Sequence, residues 1–217
     1  MTHILRIDAS SRPGPDVATS EPSFSRGLAH EVQKQLEETL FSVSLKKRDL
    51  VENPIPHIKN HTIAGFYTPV EQMTAELEAA TALSDTLIDE IEKADIVLIS
   101  CPIYNFGVPS ALKAWIDHIV RIGRTFSYEN GEFSGLLENK RAIVVYSYGA
   151  PGYVGGGPLS SYDFMRPYLT MILNFIGIQN VQDFAIEGTT GAPEDVAAAQ
   201  SSVQQHIAAL FSEKGAV

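Results

Sequence analysis

The sequence predicts a doubly wound α/β fold, with a five-stranded parallel sheet flanked by helices. Short β-rich runs alternate with segments of helical period along the chain, which is the pattern of units that build a parallel sheet. Two of the runs, residues 95–101 (DIVLISC) and 142–147 (AIVVYS), are almost unbroken apolar sequence. Strands buried on both faces read that way. The chain has 217 residues, 44% of them hydrophobic and 19% charged. That suits one domain over 1–217 with a full core, because single cores commonly reach about 200–250 residues before splitting.

The elements follow in order. Residues 3–8 (HILRID) open the chain as a strand. Leu28, Val32, Leu36 and Leu40 recur every four residues, so 24–41 is an amphipathic helix. Residues 41–50 carry alternating apolar positions at Val43 and Leu45 and form a second strand. Pro54 and Pro56 then break regularity, which makes 51–69 a long connection. A helix over 70–93 shows an apolar face of Leu77, Leu83, Leu87, Ile88 and Ile91. After the strand at 95–101, residues 110–122 are helical, with Pro109 placed just ahead where proline is tolerated. The strand at 142–147 is followed by a helix over 160–176, a strand over 181–187 and a helix over 193–211. Five strands with about this many helices fit a flavodoxin-like strand order better than a six-stranded dinucleotide fold.

Composition excludes several classes. Sixteen Lys+Arg against 26 Asp+Glu gives a net charge of −10. Nucleic acid and anionic membranes would repel such a chain. No run approaches the roughly 18–20 apolar residues of a membrane span, and the start lacks the pattern of a signal peptide. The expected location is therefore the cytoplasm. Cys101 is the single cysteine, so it forms no internal disulfide, and at the end of a buried strand it reads as an inert core thiol. The six histidines have no metal-ligand spacing, and no metal is expected.

In a doubly wound sheet, ligands sit at the carboxyl ends of the strands. After the first strand come Ser10 and Ser11, then Ser23-Phe24-Ser25 where a helix begins. Hydroxyls, free helix amides and the helix dipole together make a phosphate cradle, although Ser23 or Ser25 would serve equally as a helix cap. Neither G-x-G-x-x-G nor G-x-x-x-x-G-K-[ST] is present, so a serine cradle suits a monophosphate rather than a pyrophosphate. After the third strand comes Pro102-Ile103-Tyr104-Asn105-Phe106. Its aromatics offer flat faces and Asn105 both donates and accepts, while the same residues would also make a well-packed turn. After the fourth strand, Ser147-Tyr148-Gly149-Ala150 lead into a glycine-rich loop that allows close backbone approach. Three such loops on one sheet edge favour an isoalloxazine site.

At this point the residues match a family. The chain resembles the FMN-dependent NADH-azoreductases, within the wider NAD(P)H:quinone oxidoreductases of flavodoxin-like fold. The resemblance rests on Ser10, the Ser23/Ser25 pair, Asn53-Pro54-Ile55-Pro56 and Pro102-Ile103-Tyr104-Asn105-Phe106. Leu112-Lys113-Ala114-Trp115-Ile116-Asp117, Gly123-Arg124-Thr125-Phe126 and Glu187-Gly188 continue it. It implies that Ser10, Ser23 and Ser25 hold the FMN phosphate with the Phe24 backbone. Pro102 to Phe106 would lie along the isoalloxazine and Ser147 to Ala150 would hold its pyrimidine end. Asn105 and Tyr128 would stand near substrate, Tyr128 reading otherwise as a packed ring with a solvated hydroxyl. The resemblance further implies a homodimer and two-electron ping-pong hydride transfer from NADH through FMN to quinones or azo compounds.

Two departures stand out. Residues 12–22 are longer than the usual link between the first serine and the serine pair, so Ser11 could replace Ser10. Ala150 stands where the family is often richer in glycine. Two other classes fit the same features. One is a flavodoxin-type electron carrier, which needs no NADH slot. The other is a flavin-binding regulatory protein without turnover.

Overall fold

The five parallel strands of the central sheet run in the order β2-β1-β3-β6-β7 in the computed structural model, which describes residues 1–213. Residues 214–217 of the expected domain lie outside the described residues. The strands are β1 (Thr2–Asp8), β2 (Val43–Asp49), β3 (Ile96–Pro102), β6 (Arg141–Ser147) and β7 (Asn180–Ile186). Every residue of β3 is buried, and so is every residue of β6 after Arg141, as their apolar runs require.

Side chains alternate between two cores, because successive residues of a strand point to opposite faces. Leu5, Ile7, Val97, Ile99 and Val144 pack against α3 (Ala75–Lys93), α4 (Ser110–Ile119) and α5 (Arg166–Phe175). Ile4, Leu98, Ile143 and Val145 pack against α1 (Phe24–Thr39) and α6 (Pro193–Glu213). The four-residue period of α1 buries Leu28, Val32 and Leu36 completely, each contributing about 1.5–3 kcal/mol.

Three expectations need correction. The connection at 51–69 contains a helix, α2 (Asn60–Tyr67), seated where Gly65 meets the Thr81 side chain of α3. The helices expected over 70–93 and 160–176 start late, at Ala75 and Arg166, each after a single 3₁₀ turn. Thr74 caps the first of them, and the Asp163 carboxylate accepts from the Met165 and Arg166 amides before the second. An antiparallel hairpin, β4 (Phe126–Glu129) and β5 (Glu132–Gly135), stands where no strands were expected. Asn130 and Gly131, both at positive φ, form its two-residue turn.

The chain goes from β1 outward to β2, then crosses back to β3 on the other side of β1. That reversal opens a crevice at the carboxyl ends of β1 and β3. No helix among the described residues is long and apolar enough to cross a membrane.

Candidate active site

The exit of β1 is polar and buried. Ser23 is the N-cap of α1, its hydroxyl accepting from the Arg26 amide at 3.2 Å, and Ser23 and Ser25 Oγ lie 3.2 Å apart. Phe24 and Ser25 are the first two residues of the helix, so their amides lack intrahelical partners. Ser10 is 2% exposed, and its hydroxyl accepts from the Arg12 amide. Ser11 is engaged elsewhere: its amide and hydroxyl meet the Tyr104 hydroxyl at 3.0 and 2.7 Å.

Beneath this exit lies a pair of charges. The Arg26 guanidinium, 4% exposed, grips both carboxylate oxygens of Asp49 and donates to the Ser10 carbonyl at 2.5 Å. Burial opposes ionisation of Asp49, but hydrogen bonds from Arg26 and from the Val51 and Glu52 amides outweigh it and hold the carboxyl below its usual range. Arg26 Nε is buried without a hydrogen-bond partner among the described residues.

The exit of β3 is a tight turn. Tyr104 and Gly107 exchange backbone hydrogen bonds of 3.0 and 3.1 Å, with Asn105 and Phe106 between them at φ of 47° and 71°. Both central residues are left-handed, as a type I′ turn demands. Asparagine adopts that conformation readily and phenylalanine does not. Pro102, the last residue of β3, pairs with Ser147, and the Ile103 amide donates to the Ser147 carbonyl at 2.9 Å. The Phe106 ring lies 5.7 Å from Tyr162, and Phe164 donates its amide to the Phe106 carbonyl. A groove of about 710 Å³ runs beside the turn, bounded by Tyr104, Asn105, Lys113, Phe164 and Tyr168.

The exit of β6 follows directly. Ser147 ends the strand, and Tyr148 is fully buried, donating its hydroxyl to Asp163 at 2.7 Å. Burial and this carboxylate neighbour push the phenol far above its ordinary range, so it stays protonated. Gly149 and Ala150 come next, Ala150 at the surface. Cys101 sits behind these loops, fully buried 3.4 Å from Met165 Sδ, and burial raises its thiol well above the usual value.

Tyr128 is placed apart. It lies on β4, its ring 4.6 Å from Phe133, which stands 5.6 Å from Phe175 at the end of α5. That end of α5 leads to the start of β7, whereas its beginning touches the loops at the carboxyl edge. The chain therefore brings together every expected cofactor residue and Asn105, but leaves Tyr128 about one helix length away, some 15 Å at 1.5 Å per residue. Sequence reasoning missed Arg26, Asp49 and Asp163, whose charges read as surface residues until the fold pairs them.

The three exits thus offer an anion cradle, an aromatic wall and a backbone edge with free amides in a row. Among known proteins, the Flavodoxin_2 family model, described as flavodoxin-like fold, matches residues 2–210. An FMN-dependent NADH:quinone oxidoreductase of Xanthobacter autotrophicus is 46% identical, over 84% of this chain and 84% of its own. One of Beijerinckia indica is 41% identical, over 97% and 99%. The crystal structure of an azoreductase from Bacillus anthracis has a TM-score of 0.86 at 23% identity, covering 98% of this chain and 100% of that one, a likeness of fold. With a family match over almost its whole length and relatives of this kind at above 40% identity, the chain belongs to the Flavodoxin_2 family of flavodoxin-like fold, together with the FMN-dependent NADH:quinone oxidoreductases.

Proposed function

We propose that this protein is an FMN-dependent NADH:quinone oxidoreductase that also reduces azo compounds. The observation that carries the reading is the adjacency of the three exits, matched part by part to one ligand. The hydroxyls of Ser10, Ser23 and Ser25 and the free amides of Phe24 and Ser25 suit a phosphate dianion at a helix start. Ser11 is held by Tyr104, which favours Ser10 for this contact. The unpartnered Arg26 Nε fits the same end, a buried donor beneath the cradle. Pro102 to Phe106 would flank the ring, and Ser147 to Ala150 would meet its pyrimidine end. Asn105, at the apex of the turn, can bond a substrate carbonyl.

When bound, FMN supplies two-electron hydride exchange between NADH and a quinone or azo compound, in ping-pong order. The protein's own residues position, orient and exclude water, which is why the site contains serines, aromatics and backbone amides rather than a charged triad.

The chain acts as a single domain, residues 1–217, in the cytoplasm, and as a homodimer. An apolar strip supports the dimer. It comprises exposed Phe106, 5.7 Å from Tyr162, and Phe164 ahead of α5, Met171 beside Phe175 on α5, and on the hairpin Phe133, 5.6 Å from Phe175, with Tyr128 against it. A two-fold axis across α5 would lay the hairpin of one copy on the carboxyl edge of the other, since a two-fold interface pairs each contact reciprocally. Tyr128 would then reach substrate in the partner's site.

The test is an absorbance spectrum of the purified protein, then anaerobic NADH, then benzoquinone. Flavin bands that bleach with NADH and return with quinone support the reductase. Protein that cannot be reconstituted with FMN sinks the cofactor assignment. Bound flavin that NADH fails to bleach leaves an electron carrier or a regulatory flavoprotein.

A further inference from the structure

The carbonyls of Tyr148 and Gly149 both face the segment that leaves β7. Tyr148 O accepts from the amide and the hydroxyl of Thr189, each at 3.1 Å. Gly149 O accepts from the amide of Thr190 at 3.1 Å and its hydroxyl at 2.9 Å. The described chain has no cis peptide, and in a trans unit the C=O and N–H point in opposite directions. The amides of Gly149 and Ala150 are therefore turned away from β7. They face the β3 side of the sheet, where the Tyr104–Gly107 turn stands. Neither makes a hydrogen bond within the described residues. Farther along the same loop, one carboxylate oxygen of Glu187 accepts from the Tyr153 and Val154 amides at 2.6 and 2.9 Å. The exit of β7 thus holds the loop of β6 at its first carbonyls and again at its bend.

We propose that Glu187, Thr189 and Thr190 are positioning residues that fix the Gly149 and Ala150 amides as a paired donor for an electron-rich ligand edge, and so favour reduced over oxidised FMN. The inference rests on the reading above that Ser147 to Ala150 meet the pyrimidine end of the ring. Reduction places negative charge on that edge, and donors already aimed at developing charge stabilise it without reorganising. If the carbonyls were free to rotate toward the ring, an acceptor would face that charge instead.

The decisive variant is Thr189→Val with Thr190→Val, which keeps the side-chain shape and both backbone amides but removes both hydroxyls. The amide chemical shifts of Gly149 and Ala150 are followed with and without FMN, together with FMN affinity and the two-electron midpoint potential. In the unmodified protein both amides shift on FMN binding. In the double valine variant oxidised FMN still binds, but preference for the reduced ring falls about fivefold, the scale of one net hydrogen bond, lowering the midpoint by about 20 mV. Serine at both positions restores it. Glu187→Gln, which retains an acceptor oxygen, behaves as the unmodified protein, whereas Glu187→Ala weakens FMN binding. If the amides respond to FMN but the potential of the valine variant stays unmoved, the positioning role is wrong and the binding reading stands. If FMN binds and neither amide responds, the assignment of this loop to the pyrimidine end fails, and the inference with it.

Discussion

The exits of β1 and β3 flank the same crevice, yet they are held by opposite means. At the β1 exit, Arg26, Asp49, Arg6 and Asp8 are all buried and paired across three elements, with only Arg26 Nε and one Asp8 oxygen of these left without a hydrogen-bond partner among the described residues. At the β3 exit, Asn105 and Phe106 are exposed and kept in place mainly by backbone bonds of a four-residue turn, with one further amide from Phe164 on the Phe106 carbonyl and no charge involved. Each means suits its ligand part. A cradle for an anion must be desolvated and preorganised, so it is tied to tertiary charge pairs. A wall for a planar ring and its exchanging substrates must stay open, so it stands on local geometry. Damage at the first should spread to the fold, and damage at the second should remain in function.

The largest effect is expected at the charge pair. Arg26→Ala leaves the buried Asp49 carboxylate alone and should lower stability by about 3–5 kcal/mol, read by urea denaturation. Loss of FMN binding should accompany it, because the Ser10 carbonyl loses its anchor. The pH dependence sharpens the point. Asp49 is held below its ordinary value of 3.8, so its folded value lies under its unfolded one. The stability this gives is complete above the unfolded value and lost as pH falls through the folded value. The stability difference between the unmodified protein and Asp49→Asn should be flat from neutral to about pH 5 and shrink below about pH 4. A difference that grew on acidification would break the argument.

Ser23→Ala comes next. Losing the N-cap bond to Arg26 should cost about 1 kcal/mol, and FMN should bind more weakly in the same variant. At the β3 exit the sign reverses. Phe106 sits at φ 71° and packs its ring only loosely, being 49% exposed. Phe106→Gly and Phe106→Ala remove the same ring, but only glycine relieves the backbone. The glycine variant should be more stable than the alanine variant by about 1 kcal/mol, while both raise the quinone KM equally. Equal stabilities would mean that the turn is not strained.

The contrast between the exits also explains what could be read from sequence. The apolar runs of β3 and β6 and the four-residue period of α1 are local signals, and a doubly wound topology then dictates where ligands bind. Ser10, Pro102 and Ser147 were therefore legible as residues at strand ends. Arg26 and Asp49 are separated by 23 positions, and nothing local distinguishes them from surface charges. The hairpin carried an Asn130-Gly131 signal, but with strands of only four residues, largely exposed, it lacked the apolar alternation of a sheet strand. Helix α2 was hidden because Pro54 and Pro56 mask an eight-residue helix that follows them.

Tyr128 gives the smallest effect and the sharpest geometry. Its ring is half-exposed and keeps its Phe133 contact without the hydroxyl, so Tyr128→Phe should leave stability within about 0.5 kcal/mol. Losing one hydrogen bond to substrate should raise the quinone KM about threefold. Mixing subunits decides whether this contact crosses the dimer. In a hybrid of one Phe106→Ala copy and one Tyr128→Phe copy, action across the interface combines both defects in one site and leaves the other intact. Activity then exceeds the mean of the two parent dimers. If Tyr128 served its own chain, each site would carry one defect and mixing would recover nothing. The distance from Tyr128 to the turn within one chain favours the first outcome.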